Sequence, residues 1–150
     1  MERWFGLAVF LFAVVGGGLL IGATNLPGAW YLALEKPTFT PPGWVFGPAW
    51  TTLYVLIAIA GWRTWSRTGH SAVFSLWVLQ MGLNFVWSPI VFTAHGLGAG
   101  LAVILVMLVT ILAFIRMSWG ADRLAALFFV PYALWVAFAS YLNAGLFLLN

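Results

Sequence analysis

Three carboxylates and two histidines make up the acid–base chemistry available to this chain: Glu2, Glu35, Asp122, His70 and His95. Each lies at or beyond the end of an apolar run, and no ionisable group falls in the middle of one. Proton-coupled transporters need such a group inside the membrane, so a small multidrug antiporter is not the expectation. The apolar runs send His70 and His95 to opposite faces. They therefore cannot share a metal, and each reads as a solvated loop residue. There is no cysteine, which excludes disulfide and thiolate chemistry. Helical spacing assembles no nucleophile beside a base, so no conventional catalytic constellation is expected and no cofactor is required.

The remaining candidates are amides and aromatic rings. Few polar groups enter the apolar runs: Gln80, Asn84, Ser88, Thr110, Ser140 and Asn143. Gln80, Asn84 and Trp87 recur at i, i+4 and i+7 and so share one helical face, with Pro89 loosening the end of that segment. Farther on, Pro131, Tyr132, Trp135, Ala139, Leu142 and Asn143 repeat the pattern, and Trp50 and Tyr54 are one turn apart. Two readings fit this spacing. Buried amides can join helices by hydrogen bonds, and aromatic stripes can be packing or interfacial anchors. The alternative is a cavity whose few polar donors orient a mainly apolar ligand. Convergence of three aromatic stripes under one aromatic loop favours the cavity.

The elements that must position these groups follow from composition. Residues are 64% hydrophobic and 6% charged, and the mean hydropathy is +1.05. Water-soluble domains carry about a quarter charged residues, so lipid is the solvent indicated. Five apolar runs are long enough to span: Trp4–Thr24, Trp44–Trp65, Ala72–Thr93, Leu97–Met117 and Leu124–Leu149. Backbone groups in lipid must be paired internally, so an all-α integral membrane bundle of five transmembrane helices in one domain is expected. Arg3 ahead of the first run resembles a signal peptide, but the run lacks an A-x-A site and reads as a retained helix. Gly18 and Gly22 give it one GxxxG spacing, a weak sign of close helix contact. Ser66–Ser71 reads as a polar hairpin and His95–Gly96 as a tight turn.

Between the first two runs lies a loop, residues 25–43, rich in proline and aromatic residues. Trp30, Pro37, Pro41, Pro42 and Trp44 stiffen and shape it, which suggests a lid or binding surface. Five crossings place Arg3, Arg63, Arg67, Arg116 and Arg123 on one side and Lys36 alone on the other. The positive-inside rule then puts the N-terminus in the cytoplasm and the loop outside it. No basic stripe suited to nucleic acid exists, although the net charge is +3. There is no repeat, and five helices do not suit the inverted duplication of many secondary transporters.

Three ordered motifs carry a resemblance. WYxxLxKPxFxPPxWxFGPxWxxLY from Trp30 to Tyr54, QxxxNxxWSPxVF from Gln80 to Phe92 and VPYxxWxxFxxxLN from Val130 to Asn143 together resemble the translocator protein (TspO/MBR) family. Its bacterial members are called tryptophan-rich sensory proteins, and it is also known as the peripheral-type benzodiazepine receptor family. The resemblance covers essentially the whole chain. It implies a five-helix bundle, usually a homodimer, with a ligand cavity roofed by the first loop. The implied ligands are porphyrins such as protoporphyrin IX and haem, isoquinoline carboxamides and benzodiazepines, and cholesterol in animal members.

The family's cavity tryptophans correspond to Trp50, Trp87 and Trp135, its cavity amide to Asn84 and its small ligand-facing residue to Ala139. The lid motif corresponds to Pro41, Pro42 and Trp44. The family's light-dependent porphyrin breakdown is attributed to two tryptophans that match Trp50 and Trp135. One departure matters. The animal cholesterol motif, L/V-x-Y-x-K/R, is missing after Asn143, where the chain reads Ala-Gly-Leu-Phe-Leu-Leu-Asn150. Cholesterol recognition through that motif is not expected, since such motifs are weak even when complete. With the short ends, its absence suggests a bacterial protein. Helical spans favour the cytoplasmic membrane, although some family members have been assigned to the outer membrane. The expected function is a porphyrin-binding membrane receptor or carrier, linked to tetrapyrrole metabolism or stress. Porphyrin photodegradation and sensing through protein partners are the alternatives. The porphyrin's carboxylates are expected to meet Asn84, loop amides or Lys36.

Overall fold

The computed structural model describes residues 2–150, and the described residues form helices and turns without a strand. The first span is α1 (Glu2–Leu11), a π-helical turn at Phe12–Gly16, and α2 (Gly17–Thr24). A short helix, α3 (Ala29–Ala33), lies within the first loop, which is therefore structured as expected. The second span is a 3₁₀ turn at Gly43–Val45 leading into α4 (Phe46–Thr68). The third is α5 (Ala72–Ser88), ending in a π-helical turn at Pro89–Thr93. Proline has no N–H to continue the regular ladder, and the wider turn re-pairs the freed carbonyls. The fourth and fifth spans are α6 (Leu97–Ala121) and α7 (Arg123–Leu149). Among the described residues five helices are thus long and apolar enough to cross a membrane.

Two boundaries differ from the sequence expectation. α4 runs three residues past Trp65, so the polar hairpin shrinks to Gly69–Ser71, and α6 runs four residues past Met117. Helices that leave the hydrocarbon can continue with polar residues, so apolar composition marks the membrane limit rather than the helix end. Side-chain caps then set the real starts. The Ser71 hydroxyl accepts from the Phe74 N–H at 3.2 Å, and the Asp122 carboxylate from the Ala125 N–H at 3.3 Å.

α7 packs between α4 and α6, α5 lies against α6, and the first span lies against α4 and α5. Ile57, Ile104, Ile111, Phe114, Phe129 and Val136 are fully buried where these helices meet. The first span takes part in this packing. Val14 is buried, and Gly18 lies so close to the Tyr54 ring that a Cβ there would overlap it. Gly22 faces open space, so only half of the GxxxG spacing makes a close contact.

At one end of the bundle, the Arg63 guanidinium donates to both carboxylate oxygens of Asp122, at 2.9 and 3.1 Å, and Arg67 adds a contact at 3.3 Å. This joins the end of α4 to the start of α7. Burial works to raise the Asp122 carboxyl, but the hydrogen bonds from Arg63 and Ala125 and the charges of Arg63 and Arg67 outweigh it, and the group is held below the usual carboxylate value. The first loop, the α5–α6 turn and the end of α7 gather at the other end. His70 and His95 are at opposite ends, the first against Trp65 and the second against Trp30.

Candidate ligand-binding site

The interior between α4, α5 and α7 is built in three levels. The level nearest mid-membrane is a closed hydrogen-bond network. Tyr54 donates to the Asn84 carbonyl at 3.2 Å, Asn84 donates to the Tyr132 oxygen at 2.8 Å, and Tyr132 donates to the Gln80 carbonyl at 2.8 Å. The Gln80 amide nitrogen turns back to the Trp77 carbonyl, and the Trp77 indole donates to the Ile57 carbonyl. Every member is buried. An unpaired polar group costs several kcal/mol in hydrocarbon, so these side chains hold three helices in one register.

One turn nearer the loop, Trp50 stacks on Tyr54 with centroids 5.6 Å apart and an interplanar angle of 28°. Trp50 also meets Trp135 edge-on at 6.4 Å, and Phe46 closes on Trp135 from the other side at 5.8 Å. The Trp135 indole nitrogen is buried and donates to no group among the described residues. Trp135 also lines, with Pro131, the α7 wall of a cleft of about 460 Å³ between α4 and α7. The facing wall is a stripe with four-residue spacing, Trp44 of the 3₁₀ turn followed by Pro48, Thr52 and Leu56 of α4, together with Ala49 and Leu53. The lining is almost wholly apolar, and Trp44 stands exposed at its end.

The third level is Trp87, whose indole donates to the Asn143 carbonyl at 3.1 Å, while the Asn143 amide donates to the Leu97 carbonyl at 2.9 Å. This ties α5, α6 and α7 together beneath the loop. Ala139 and Leu142 are buried on α7 between the second and third levels.

The loop is docked over these helix ends by specific contacts. Trp30 stacks on His95 with centroids 4.0 Å apart, and Tyr31 meets Phe92 edge-on. Asn150 pairs with both backbone groups of Glu35, and Tyr141 donates to the Thr38 carbonyl at 2.8 Å. Pro37 lies against Gly145 where a Cβ would not fit. Burial raises the Tyr31 hydroxyl above its usual pKa. Pro41 is half-buried and Pro42 exposed on the approach to α4.

Apart from Pro41, Pro42, Ala139 and Leu142, the residues singled out from the sequence fall into four sets. Trp44 and Trp135 face the cleft. Trp50, Tyr54 and Tyr132 form the packed aromatic wall behind it. Asn84 is engaged with Tyr54 and Tyr132, Gln80 with Tyr132 and the Trp77 carbonyl, and Trp87 with Asn143, which also bonds the Leu97 carbonyl. Trp30 belongs to the loop's docking contacts. Lys36 is committed too: its ammonium donates to the carbonyls of Tyr31, Leu32 and Leu34 at 3.0–3.3 Å and so caps α3. A ligand carboxylate at Lys36 or Asn84 would have to displace existing bonds. Sequence reasoning overlooked Phe46, Pro48 and Thr52. The repeat of Trp44, Pro48 and Thr52 at intervals of four was the available signal.

Apolar spans, charges held at the ends and an aromatic, amide-tied interior under a docked loop define a small polytopic helical membrane protein. The chain belongs to the TspO/MBR family, whose model matches residues 7–149. It is 38% identical over 147 residues to Protein CrtK of Rhodobacter capsulatus, covering 95% of this chain and 91% of that one. It is 41% identical over 123 residues to the tryptophan-rich protein TspO of Archaeoglobus fulgidus, covering 81% and 80% of the two chains. The human translocator protein is 34% identical over 134 residues, with coverage of 84% and 79%.

Proposed function

We propose that the protein is a membrane receptor or carrier for porphyrins, such as protoporphyrin IX or haem, and for related apolar ligands. In this reading it acts in regulating tetrapyrrole metabolism or a stress response, as a homodimer with the Arg-bearing end in the cytoplasm. The observation that carries the reading is Trp135. Its buried N–H has no partner among the described residues, yet its ring lines an apolar cleft. A donor left unpaired in such surroundings costs about 1–3 kcal/mol, and an apolar ligand bearing an acceptor would recover it. A planar tetrapyrrole supplies both parts, a large apolar ring for the cleft and a carboxylate that reaches the indole once the Phe46 and Trp50 packing around Trp135 opens. The cleft also has the volume typical of small-molecule sites. Among the described residues Arg63, Arg67, Arg116 and Arg123 lie near the ends of their helices, and no carboxylate, lysine or histidine lies at mid-span to couple an energy source, so passage through the protein would be downhill.

Titration of the detergent-solubilised protein with protoporphyrin IX, followed by its absorbance, tests this. Saturable binding weakened by Ala49→Leu, which narrows the cleft, is expected. Affinity indifferent to Ala49→Leu and to Trp135→Phe would place the ligand elsewhere.

A second reading is light-dependent porphyrin degradation, favoured by the Trp50–Trp135 edge-on contact at 6.4 Å. An excited ring could take an electron from one indole, with the other sharing the charge. Oxygen-dependent bleaching under light that disappears in Trp50→Phe supports it. Bleaching equal to a protein-free control removes it.

A further inference from the structure

A second cleft, of about 420 Å³, lies on the outer face of α6 at the Arg-bearing end, far from the aromatic site. It is lined by Leu112, Ile115, Arg116 and Trp119, at positions i, i+3, i+4 and i+7 and so along one stripe. The apolar pair lies toward mid-membrane and the arginine and tryptophan toward the helix end. Leu112 and Trp119 are exposed, so the stripe faces outward from the bundle. Arg123, the first residue of α7, extends this polar end, its guanidinium 5.0 Å from the centre of the Trp119 ring.

The charges here are unbalanced. Asp122, next to Arg123, is already held by Arg63 and Arg67. Among the described residues neither Arg116 nor Arg123 has a carboxylate within ion-pair distance. Two unpaired guanidinium groups flank a tryptophan at the level where headgroups begin, above an apolar groove running down the helix. That order of polarity, phosphate-binding at the end and hydrocarbon below, matches one lipid lying along a helix.

We infer that this cleft is a binding site for an anionic phospholipid of the leaflet at the Arg-bearing end. Arg116 and Arg123 hold the headgroup phosphate, Trp119 packs against the glycerol region, and Leu112 and Ile115 take the start of an acyl chain. The free positive charge of both arginines selects an anionic headgroup over a zwitterionic one.

Native mass spectrometry of the protein in a mild detergent, with equal amounts of phosphatidylglycerol and phosphatidylcholine, tests the assignment. The wild-type protein should retain phosphatidylglycerol in preference. Arg116→Gln with Arg123→Gln should reduce that preference by roughly tenfold or more, at about fivefold per arginine. Trp119→Ala should weaken retention of both lipids. Arg67→Gln removes the same charge at the same end but lies outside the cleft, and it should keep the preference. Three results would overturn the proposal: no preference in the wild type, equal loss in Arg67→Gln, or full displacement of the lipid by millimolar inorganic phosphate.

Discussion

The indoles of Trp50 and Trp135 meet at right angles with centroids 6.4 Å apart, joining α4 to α7 one turn from the buried Tyr54–Asn84–Tyr132–Gln80 network. Trp50 contributes ring packing at this contact, whereas Trp135 also carries a buried N–H with no acceptor among the described residues. A packing role and a ligand role therefore separate by mutation. Trp135→Phe keeps most of the ring and removes the unsatisfied donor. Its thermal stability in detergent should stay within about 1 kcal/mol of wild type, because lost ring contacts offset the relieved donor. A large fall in melting temperature would mean that Trp135 is a structural anchor.

The Tyr132 hydroxyl makes the opposite case. It accepts from Asn84 and donates to Gln80, so Tyr132→Phe leaves a buried N–H and a buried carbonyl unpaired together. The expected cost is about 1–3 kcal/mol, seen as a lower unfolding temperature without any ligand present. An unchanged unfolding temperature would show that the network has alternative partners.

Gly18 and Gly22 are four residues apart on the first span but are not equivalent. A Cβ at Gly18 would overlap the Tyr54 ring, whereas at Gly22 it meets nothing. Gly18→Ala should destabilise by about 1–3 kcal/mol through overpacking, and Gly22→Ala should be near neutral. Equal effects would mean that the first span does not sit against α4 as described.

Asp122 gives a pH dependence of known sign. Its folded carboxyl is held below the ordinary value, against the pull of burial, by Arg63, the Ala125 N–H and Arg67. The stabilisation is complete above the unfolded pKa of about 4 and is lost as pH falls through the folded value. Unfolding temperature should therefore fall on acidification below about pH 4, and Asp122→Asn should flatten that fall while lowering stability at neutral pH. An identical acid limb in the variant would assign the effect to another carboxylate.

The five spans and their order were legible because lipid demands long apolar runs and paired backbones, and these leave a strong signal in sequence. Helix ends were less so. The last turns of α4 and α6 carry polar residues such as Arg67 and Ser118, and only capping by Ser71 and Asp122 reveals where the next helices begin. Spacing correctly put Gln80, Asn84 and Trp87 on an inward face, and Trp50 on Tyr54. Spacing could not show how the amides divide their bonds. That Asn84 serves both tyrosines, and Asn143 both Trp87 and Leu97, depends on contacts 30–56 residues apart in sequence. Nor could it show that Lys36 folds back onto its own loop, because an isolated lysine near a predicted cavity reads as a ligand contact until its carbonyl partners are seen.

The most direct measurement of the central claim is titration of the solubilised protein with protoporphyrin IX in the dark, following tryptophan quenching in wild type and Trp135→Phe. Saturable quenching is expected, with affinity reduced about tenfold in the variant by loss of one hydrogen bond to a charged group. Non-saturable quenching, or equal affinity in both proteins, would contradict a porphyrin site built on Trp135.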